Sequence, residues 1–476
     1  MRRKLVLSLF IVVVAALAVG QGKTDWPQPI IRGSIIVWGG DEAKDDARPH
    51  FKRLAGDGQI LVISSTADDA RATWAETSNA KVVSVFDSAD LAKADSVWID
   101  GLFVGTASAR NALKAIKEKG GVVGISEELL GTGRFKALLP YVEIAGSSDS
   151  SSVGTVQMDV GDGAAIVFVG RFGRVIGSGD TKFSLAAGGG MDAVEIVVSP
   201  GGRVDLVSLR RRALDRTMPA FPVAKTPEVP SGTLMIVGGG GIPDGLIERF
   251  IKEAGGPDAR IVYVPCSFQE EISQEPGFVR LLRGRGAKNV TWIHTKDREK
   301  SDTDEEFLEP LKDAGGVWFG GGRQWNLVDS YMDTKAHDLM RDVLKRGGVI
   351  GGSSAGASIQ AEFLARGDPL GNLNIIAPGY LRGLGFLPGA AVDQHFTQRG
   401  RQKDMTELMK AYPQVLGIGI DEGTAIIVQG VVAEVVGTGA VHFYDYRVTP
   451  TGETDFLRLE KGKTYDLKER RQVVAK

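Results

Sequence analysis

Cysteine and histidine are scarce in this chain, which has one cysteine and five histidines among 476 residues. A single cysteine cannot form an internal disulfide, so the fold must be stabilised by burial of apolar side chains. Cys266 ends an apolar run over residues 261–266, which favours a packed thiol over a catalytic one. No group of histidine, cysteine and acidic residues has metal-ligand spacing, so neither a metal nor a cofactor is expected.

An excess of basic residues is also lacking, because 57 Lys and Arg stand against 59 Asp and Glu, a formal net charge of −2. A protein that binds polyanions usually has a basic excess, so no nucleic-acid partner is expected. The one long apolar run covers residues 5–19, after the basic start 2–4 and before the small residues 18–20. This pattern is typical of a signal peptide over residues 1–20. We expect an exported protein, periplasmic or extracellular, with no membrane segment after cleavage; an uncleaved N-terminal anchor is the alternative.

Glycine, in contrast, is abundant, with 63 residues, and it follows short Val/Ile-rich runs that occur twice in the same order. The paired runs are 33–40 and 232–239, 59–65 and 260–264, 94–101 and 314–321, and 119–127 and 346–354. Repetition of four landmarks indicates an internal duplication. The runs alternate with amphipathic segments, which predicts an α/β protein with two tandem, doubly wound parallel-sheet domains.

The two predicted domains cover residues 31–216 and 232–476, and the proline-rich stretch 217–231 is the predicted linker. The two halves differ at the positions where catalytic residues are expected. The first half has Glu127 at the position that corresponds to Ser354, and its only histidine is His50. We therefore predict a degenerate, non-catalytic first half and one active site in the second half. The alternative is that Glu127 has a function of its own.

The stretch 347–358 carries the strongest chemical signal. A short apolar run ends at two glycines, and Ser353 and Ser354 precede small residues that begin a helix. A strand, a sharp turn with a hydroxyl and a helix are the parts that present a serine nucleophile. We take Ser354 as the nucleophile, with the amide of Ala355 at the helix start as an oxyanion donor. The alternatives are a turn that is glycine-rich only for packing and a phosphate-binding turn.

A serine nucleophile needs a base, and two histidines follow it, His395 and His442. His395 is the better candidate because polar residues flank it, whereas His442 lies in a strand-like alternation. Either Asp368 or Glu422 could orient the imidazole, and spacing does not decide between them.

Two further groups have the chemistry of substrate contacts. The glycine triplet 320–322 ends a predicted strand, where the Gly321 amide could be a second oxyanion donor or part of a phosphate site. Arg399 and Arg401 are suited to bind a carboxylate, although a solvated basic turn is an equally good interpretation.

These motifs resemble the cyanophycinases, serine peptidases related to peptidase E with a fold similar to class I glutamine amidotransferase (flavodoxin-like) domains. The resemblance rests on segments 320–324, 352–357, 393–401 and 417–425 and covers about residues 232–436. It implies Ser354 as nucleophile, His395 as base and these substrate contacts: Gln324, Asp393, Gln394, Arg399 and Arg401. In peptidase E the aspartate stands at the position of Asp368. The chain departs from the family at Asp404, where a third arginine is expected.

The resemblance implies hydrolysis of cyanophycin, an aspartate polymer with arginine on each side chain, to β-Asp-Arg dipeptides through an acyl-enzyme. The expected partner is therefore an aspartate-rich peptide, and a homodimer is left open. Three alternatives also stay open: an Asp-X dipeptidase of the peptidase E type, a ligand-binding protein with a vestigial site, and an amidotransferase-like enzyme. The last ranks lowest because no cysteine occupies the nucleophile turn.

Overall fold

A computed structural model describes residues 24–84, 88–100, 106–132, 138–145, 152–448, 450 and 452–474. The predicted signal peptide lies outside these residues. Within the described ranges, no helix has the length and apolar character needed to cross a membrane.

The first half alternates strands and helices up to residue 131 and then becomes rich in strands. Its strands are β1 (Ser34–Trp38), β2 (Ile60–Ser64), β3 (Ala80–Val83), β4 (Ser96–Asp100), β5 (Val122–Ser126), β6 (Glu143–Ile144), β7 (Gln157–Val160), β8 (Ala164–Val169), β9 (Phe172–Gly177), β10 (Thr181–Leu185), β11 (Val194–Val198) and β12 (Arg203–Asp205). Its helices are α1 (Gly40–Ala55), α2 (Ala67–Trp74), α3 (Ser88–Leu91), α4 (Ala107–Glu118), α5 (Glu127–Gly131) and α6 (Leu206–Asp215).

The second half follows the proline-rich segment and has the same alternation. Its strands are β13 (Val229–Val237), β14 (Arg260–Cys266), β15 (Asn289–Trp292), β16 (Gly316–Gly322), β17 (Val349–Ser353), β18 (Ala361–Phe363), β19 (Leu387–Gln394), β20 (Leu416–Ile420), β21 (Thr424–Gly430), β22 (Val432–Gly437), β23 (Ala440–Asp445), β24 (Leu457–Glu460), β25 (Thr464–Asp466) and β26 (Arg471–Val473). Its helices are α7 (Leu246–Glu253), α8 (Gly277–Gly284), α9 (Arg298–Thr303), α10 (Glu305–Lys312), α11 (Trp325–Tyr331), α12 (Lys335–Lys345), α13 (Ala355–Ser358) and α14 (Gln402–Ala411), with a 3₁₀ turn over Thr397–Arg399.

The large sheets of the two halves have matching strand orders. The first runs β3-β2-β4-β5-β1-β8-β9-β12, and the second runs β15-β14-β16-β17-β13-β21-β22-β25-β26. The registers match as well, because Trp38 pairs with Ser126 in the first half and Val237 pairs with Ser353 in the second. Residues 127 and 354 therefore follow equivalent strand ends.

The sheets are mixed, whereas the sequence predicted parallel ones. The central strands are parallel, but β21 runs antiparallel to β13 and β22 antiparallel to β21. One residue, Val431, separates β21 from β22, and so short a connection permits only a hairpin. A smaller sheet in each half, β6-β7-β10-β11 and β18-β19-β20-β23-β24, completes the α/β architecture.

The approach to the nucleophile turn shows how local sequence fixes this architecture. Helix α12 buries Ala336, Leu339, Met340, Val343 and Leu344, the spacing of one apolar helix face. Gly347 ends it with a φ of 85°, a left-handed cap that glycine adopts readily. At Gly348 a Cβ would lie 2.4 Å from the Gly315 carbonyl oxygen, so a larger residue could not enter β17 there.

Candidate active site

Ser354 lies in a strained turn between β17 and α13. Its φ and ψ are 58° and −115°, a region that residues other than glycine rarely occupy. Its backbone N–H donates to the Val237 carbonyl at 3.0 Å, which ties the turn to β13. A Cβ at Gly352 would lie 2.2 Å from the Gly356 carbonyl oxygen, so the turn can close this tightly only with glycine. A sharp turn between a strand and a helix is the geometry that presents a serine nucleophile.

His395 follows β19 and brings its imidazole to this hydroxyl. Ser354 Oγ and His395 Nε2 are 2.9 Å apart. The backbone of His395 also has a positive φ, 51°, and its N–H donates to the Gly238 carbonyl at 2.8 Å. A Cβ at Gly239 would lie only 2.3 Å from the ring. The glycine loop after β13 therefore provides the space in which the imidazole lies.

Glu422, in the turn between β20 and β21, holds the other ring nitrogen. Its Oε1 lies 2.5 Å from His395 Nδ1. An ionised carboxylate can only accept a hydrogen bond, so this contact assigns the proton to Nδ1. Nε2 is then free to accept the Ser354 hydroxyl proton. The arrangement has the serine–histidine–carboxylate geometry of an activated nucleophile.

Asp368, the other acid that the sequence left open, has different partners. Its carbonyl accepts a hydrogen bond from Arg323 Nη2 at 2.6 Å, and its carboxylate accepts one from the Leu370 N–H at 2.8 Å. Both contacts shape the loop that contains it. The structure thus brings Glu422, and not Asp368, to the imidazole of His395.

The surroundings of His395 favour its neutral form. Burial lowers the pKa of the imidazole, and the positive charges of Arg399 and Arg401 lower it further, whereas Glu422 opposes the shift. A neutral imidazole can accept a proton, as a general base must.

The predicted oxyanion donors adjoin the serine. Gly321 lies in β16, and a Cβ there would be 3.5 Å from Ser354 Cβ and 4.0 Å from Oγ. Ala355 is the first residue of α13, so its N–H has no carbonyl partner within the helix. Gly321 and Ala355 therefore both lie beside Ser354.

Two of the predicted substrate contacts are instead bonded to each other. Asp393 is fully buried, and Arg401 Nη1 donates to it at 2.7 Å and to the Gln394 carbonyl at 2.6 Å. Asp393 also accepts from Arg366 Nε at 3.0 and 3.1 Å. Burial raises the pKa of Asp393, and the two guanidinium groups oppose that shift. The cluster supports the end of β19, just before His395.

Arg366 was missed by the sequence analysis, which considered only the acid in its loop. Its φ is 58°, and its Nη2 donates to Asp404 at 2.5 Å. Asp404 occupies the position at which the resemblance expects a third arginine. At the position where the chain departs from the family, Asp404 therefore forms an ion pair with Arg366, an arginine from another segment.

The remaining predicted substrate contacts, Gln324, Gln394 and Arg399, differ in burial and in hydrogen bonding. Gln324 is buried and its Nε2 donates to the Ala365 carbonyl at 2.6 Å. Gln394 is 5% exposed, and its buried Oε1 has no hydrogen-bond partner among the residues that the structure describes. Arg399 is exposed beside His395, and its N–H donates to the His395 carbonyl at 3.1 Å. Of these three residues, Arg399 is thus the one whose side chain is open to solvent.

His442 and Cys266, the alternative candidates for catalytic residues, have structural roles. His442 is buried, with the rings of Phe396 and Phe456 centred 5.2 and 5.0 Å away. The Cys266 thiol donates to the Arg323 carbonyl at 2.9 Å, and burial raises its pKa to about 12. A thiol with such a pKa is not a thiolate nucleophile at neutral pH.

The chain is similar to known peptidases. The model of peptidase family S51 matches residues 234–436. The cyanophycinase of Geminocystis herdmanii (strain PCC 6308) is 32% identical over 203 residues, 42% of this chain and 74% of that protein. Peptidase E of Nostoc sp. (strain PCC 7120 / SAG 25.82 / UTEX 2576) is 22% identical over 166 residues, 32% of this chain and 67% of the relative. A solved peptidase from an acI-B1 Actinobacterium is 21% identical with a TM-score of 0.38, covering 51% of this chain and 98% of that one. The chain belongs to peptidase family S51.

Proposed function

We propose that this chain is an exported serine exopeptidase that hydrolyses aspartyl peptide bonds, with cyanophycin as the first candidate substrate. The observation that carries the proposal is the line of contacts from Ser354 Oγ through His395 to Glu422, at 2.9 and 2.5 Å. Because cyanophycinase and peptidase E are both relatives, an aspartyl residue on the acyl side of the cut bond suits either substrate class.

The reaction follows from the geometry. Ser354 Oγ attacks the carbonyl carbon, and His395 Nε2 takes the hydroxyl proton. The negative charge that forms on the carbonyl oxygen is held by the amides of Gly321 and Ala355. The imidazolium then gives its proton to the leaving amine as the C–N bond breaks. Water, deprotonated by the same imidazole, cleaves the acyl-enzyme and returns Ser354 to its hydroxyl form.

The Asp-X dipeptidase activity is the second candidate, and Asp404 favours it. Its carboxylate neutralises part of the charge of Arg366 at the position where a cyanophycinase-like pattern has an arginine. Each repeat unit of cyanophycin has a free arginine carboxylate, and a site with less positive charge binds such a group less strongly. Gln394 and Arg399 are the proposed substrate contacts in either case, with Asp393, Arg401 and Gln324 in supporting positions.

The experiment is to incubate the protein with cyanophycin and with a panel of α- and β-linked Asp-X dipeptides and to identify the products by mass spectrometry. Wild type should release β-Asp-Arg from the polymer or cleave the dipeptides, and Ser354→Ala should lose both activities. Ser353→Ala is the matched control, because it removes the neighbouring hydroxyl and should retain activity. Full activity of Ser354→Ala would refute the mechanism.

Labelling by a fluorophosphonate separates the peptidase from a ligand-binding protein with a vestigial site. Ser354 should be labelled in wild type and in Ser353→Ala. Absence of labelling in a well-folded protein would favour the binding protein.

We also propose that the halves arose by duplication and that residues 1–20 direct export. The matching strand orders and registers support the first proposal, and the basic start before an apolar run supports the second. In this proposal the first half retains the fold and has Glu127 at the position that corresponds to Ser354. Sequencing the N-terminus of the protein recovered outside the cytoplasm tests export, which predicts a start near residue 21. Retention of residue 1 would contradict cleavage.

A further inference from the structure

A buried arginine of the first half contacts two segments of the second half. Arg171 lies in the turn between β8 and β9 and is 3% exposed. It donates to Asp205 of its own half from Nε at 2.7 Å and from Nη2 at 2.9 Å. It also donates to Asp329 from Nη1 at 2.7 Å and to Tyr380 Oη from Nη2 at 2.8 Å. Tyr380 Oη in turn donates to Asp329 at 2.8 Å.

The two contacted segments both adjoin the active site. Asp329 is in α11, the first helix after the glycines of β16. Tyr380 is in residues 364–386, which connect β18 to β19 and which we call the connecting segment. This segment separates Ser354 from His395 along the chain. One side chain of the first half therefore joins the helix behind the predicted oxyanion strand to the connecting segment.

A second arginine of the first half, Arg211, contacts the same part of the connecting segment. Arg211 Nε donates to the Gly379 carbonyl at 2.8 Å, and its guanidinium lies 4.8 Å from the centre of the Tyr380 ring. A Cβ at Gly379 would be 2.7 Å from the Ser208 carbonyl oxygen. This close packing leaves the connecting segment little freedom at residues 379–380.

The other end of the connecting segment reaches the site directly. Arg366 donates to the carbonyls of Asn372 and Leu373 at 3.1 and 2.8 Å. The same guanidinium binds Asp393, two residues before His395. A shift of the segment would therefore reach Asp393 and the neighbouring Gln394, a proposed substrate contact, whereas the backbone of His395 is held separately by the Gly238 carbonyl.

We propose that Arg171 and Tyr380 are positioning residues, through which the first half holds the connecting segment in the conformation that binds substrate. This inference rests on the proposed function. The first half is then a structural partner of the active site, although it lacks a serine of its own. Ser354, His395 and Glu422 lie outside the connecting segment, so loosening it should affect substrate binding more than the chemical step.

The tests are Tyr380→Phe, which removes one hydroxyl, and Arg171→Lys, which retains the charge without the fork. Truncation of Arg171 is avoided, because it would remove the ion-pair partner of two buried carboxylates, Asp205 and Asp329. In the full chain, each variant should raise KM for the cleaved aspartyl peptide by about tenfold, as for a lost buried hydrogen bond to a charged group. The kcat should change by less than about twofold, and the double variant should raise KM by less than the two single effects combined, because Arg171 and Tyr380 belong to one hydrogen-bonded network.

Two readouts do not depend on the substrate. The rate at which a fluorophosphonate labels Ser354 should match wild type, and hydrogen exchange should rise in residues 364–386. If wild type cleaves no aspartyl peptide, the proposed function fails while these readouts still test the positioning. Should Arg171→Lys fail to fold, Tyr380→Phe decides the matter.

The matched control is Val62→Ala, in the buried strand β2 of the first-half core. It destabilises the first half without touching the contact between the halves. Unchanged KM and exchange in Tyr380→Phe would overturn the proposal. An equal rise of KM in Val62→Ala, at an equal loss of Tm, would do the same, because general instability would then explain the effect.

Discussion

The carboxylate of Glu422 lies 2.5 Å from Nδ1 of His395, although 27 residues separate the two in the chain. The turn between β20 and β21 places the acid beside the end of β19. A Cβ at Gly240 would lie 2.5 Å from the Glu422 side chain, so the glycine loop after β13 packs against the acid as closely as against the histidine. The pair depends on three strand ends of the second half.

Glu422→Gln should lower kcat strongly. The amide can donate to Nδ1, which would allow the tautomer with the proton on Nε2, and that tautomer cannot accept the serine proton. Loss of the corresponding acid in a serine–histidine–aspartate triad costs about 10⁴ in kcat. We expect a loss of about 10³–10⁴ on the peptide that wild type cleaves, measured under saturating substrate.

Asp368→Asn is the matched control for Glu422→Gln, because it makes the same type of change at the other acid. Its effect on kcat should be less than about threefold, since the hydrogen bond of its carboxylate is to a neighbouring amide within its own loop. A larger loss for Asp368→Asn than for Glu422→Gln would reverse the assignment of the orienting acid.

Gly239→Ala should displace the imidazole. The added methyl group would lie 2.3 Å from the His395 ring, which no rotamer of the new residue relieves. Misplacement of a catalytic group by about 1 Å can cost about 10²-fold in rate, so we expect a fall of at least that size in kcat/KM. Slower labelling of Ser354 by a fluorophosphonate should accompany it.

Gly245→Ala separates the steric effect from backbone strain. Gly239 and Gly245 have φ of 94° and 76°, and no atom of the described residues lies within 4 Å of a Cβ at Gly245. Both variants therefore strain the backbone, but only Gly239→Ala meets the ring. Equal losses of activity in the two would show that strain, and not the imidazole, is responsible.

The repeated strand landmarks predicted the α/β class well, because buried parallel strands are continuous apolar runs that sequence shows directly. They did not predict the antiparallel strands of each sheet. The run 424–429 has the apolar, β-branched composition of a strand, but its direction depends on the short connection after it. Periodicity carries no information on strand direction.

The active site, like the fold, could be predicted only in part from the sequence. Ser354 and His395 follow from local motifs, and the structure brings them together. The choice of Glu422 over Asp368 depends on contacts between distant strand ends, and Arg366 is visible only once its fork meets Asp393 and Asp404. The sequence shows a glycine run at the end of a strand, which signals a special role for Gly239 and Gly240. It does not show which side chains pack against these glycines.

Arg399→Gln should move the pH profile of kcat/KM. Arg399 is one of the positive charges that lower the pKa of His395, so its removal raises that pKa. The base works only when neutral, and activity is lost as pH falls through its pKa. The acid limb should therefore shift to higher pH in the variant, measured over pH 4.5–8 at low substrate.

The shift separates an electrostatic role of Arg399 from a purely binding role. Loss of a substrate contact alone would raise KM at every pH and leave the acid limb in place. Lys403→Gln, on the exposed face of α14, is the charge-matched control and should leave the limb unmoved. An acid limb at the wild-type pH in Arg399→Gln would contradict the electrostatic role.

Glu127→Gln should stabilise the first half, and more at high pH than at low pH. Burial raises the pKa of Glu127 from 4.5 to about 7, helped by the charges of Asp159 and Asp162 and opposed by the Val160 N–H. A carboxyl that binds its proton more tightly when folded loses stability as pH rises from its unfolded pKa through its folded one. Glutamine does not ionise, and its oxygen can keep the 2.8 Å contact with the Val160 N–H.

The stabilising effect of Glu127→Gln should therefore be absent near pH 4.5 and complete above pH 7. We expect a Tm gain of about 2–4 °C at pH 8, the shift that about 1 kcal/mol gives in a domain of this size. Glu128→Gln changes the same charge at the exposed neighbouring position, and calorimetry of both variants at pH 5 and pH 8 isolates the buried carboxyl. If Glu127→Gln destabilised the protein at pH 8, the ionised carboxylate would be contributing to the fold, and the strand end that corresponds to Ser354 would have a role that burial alone does not explain.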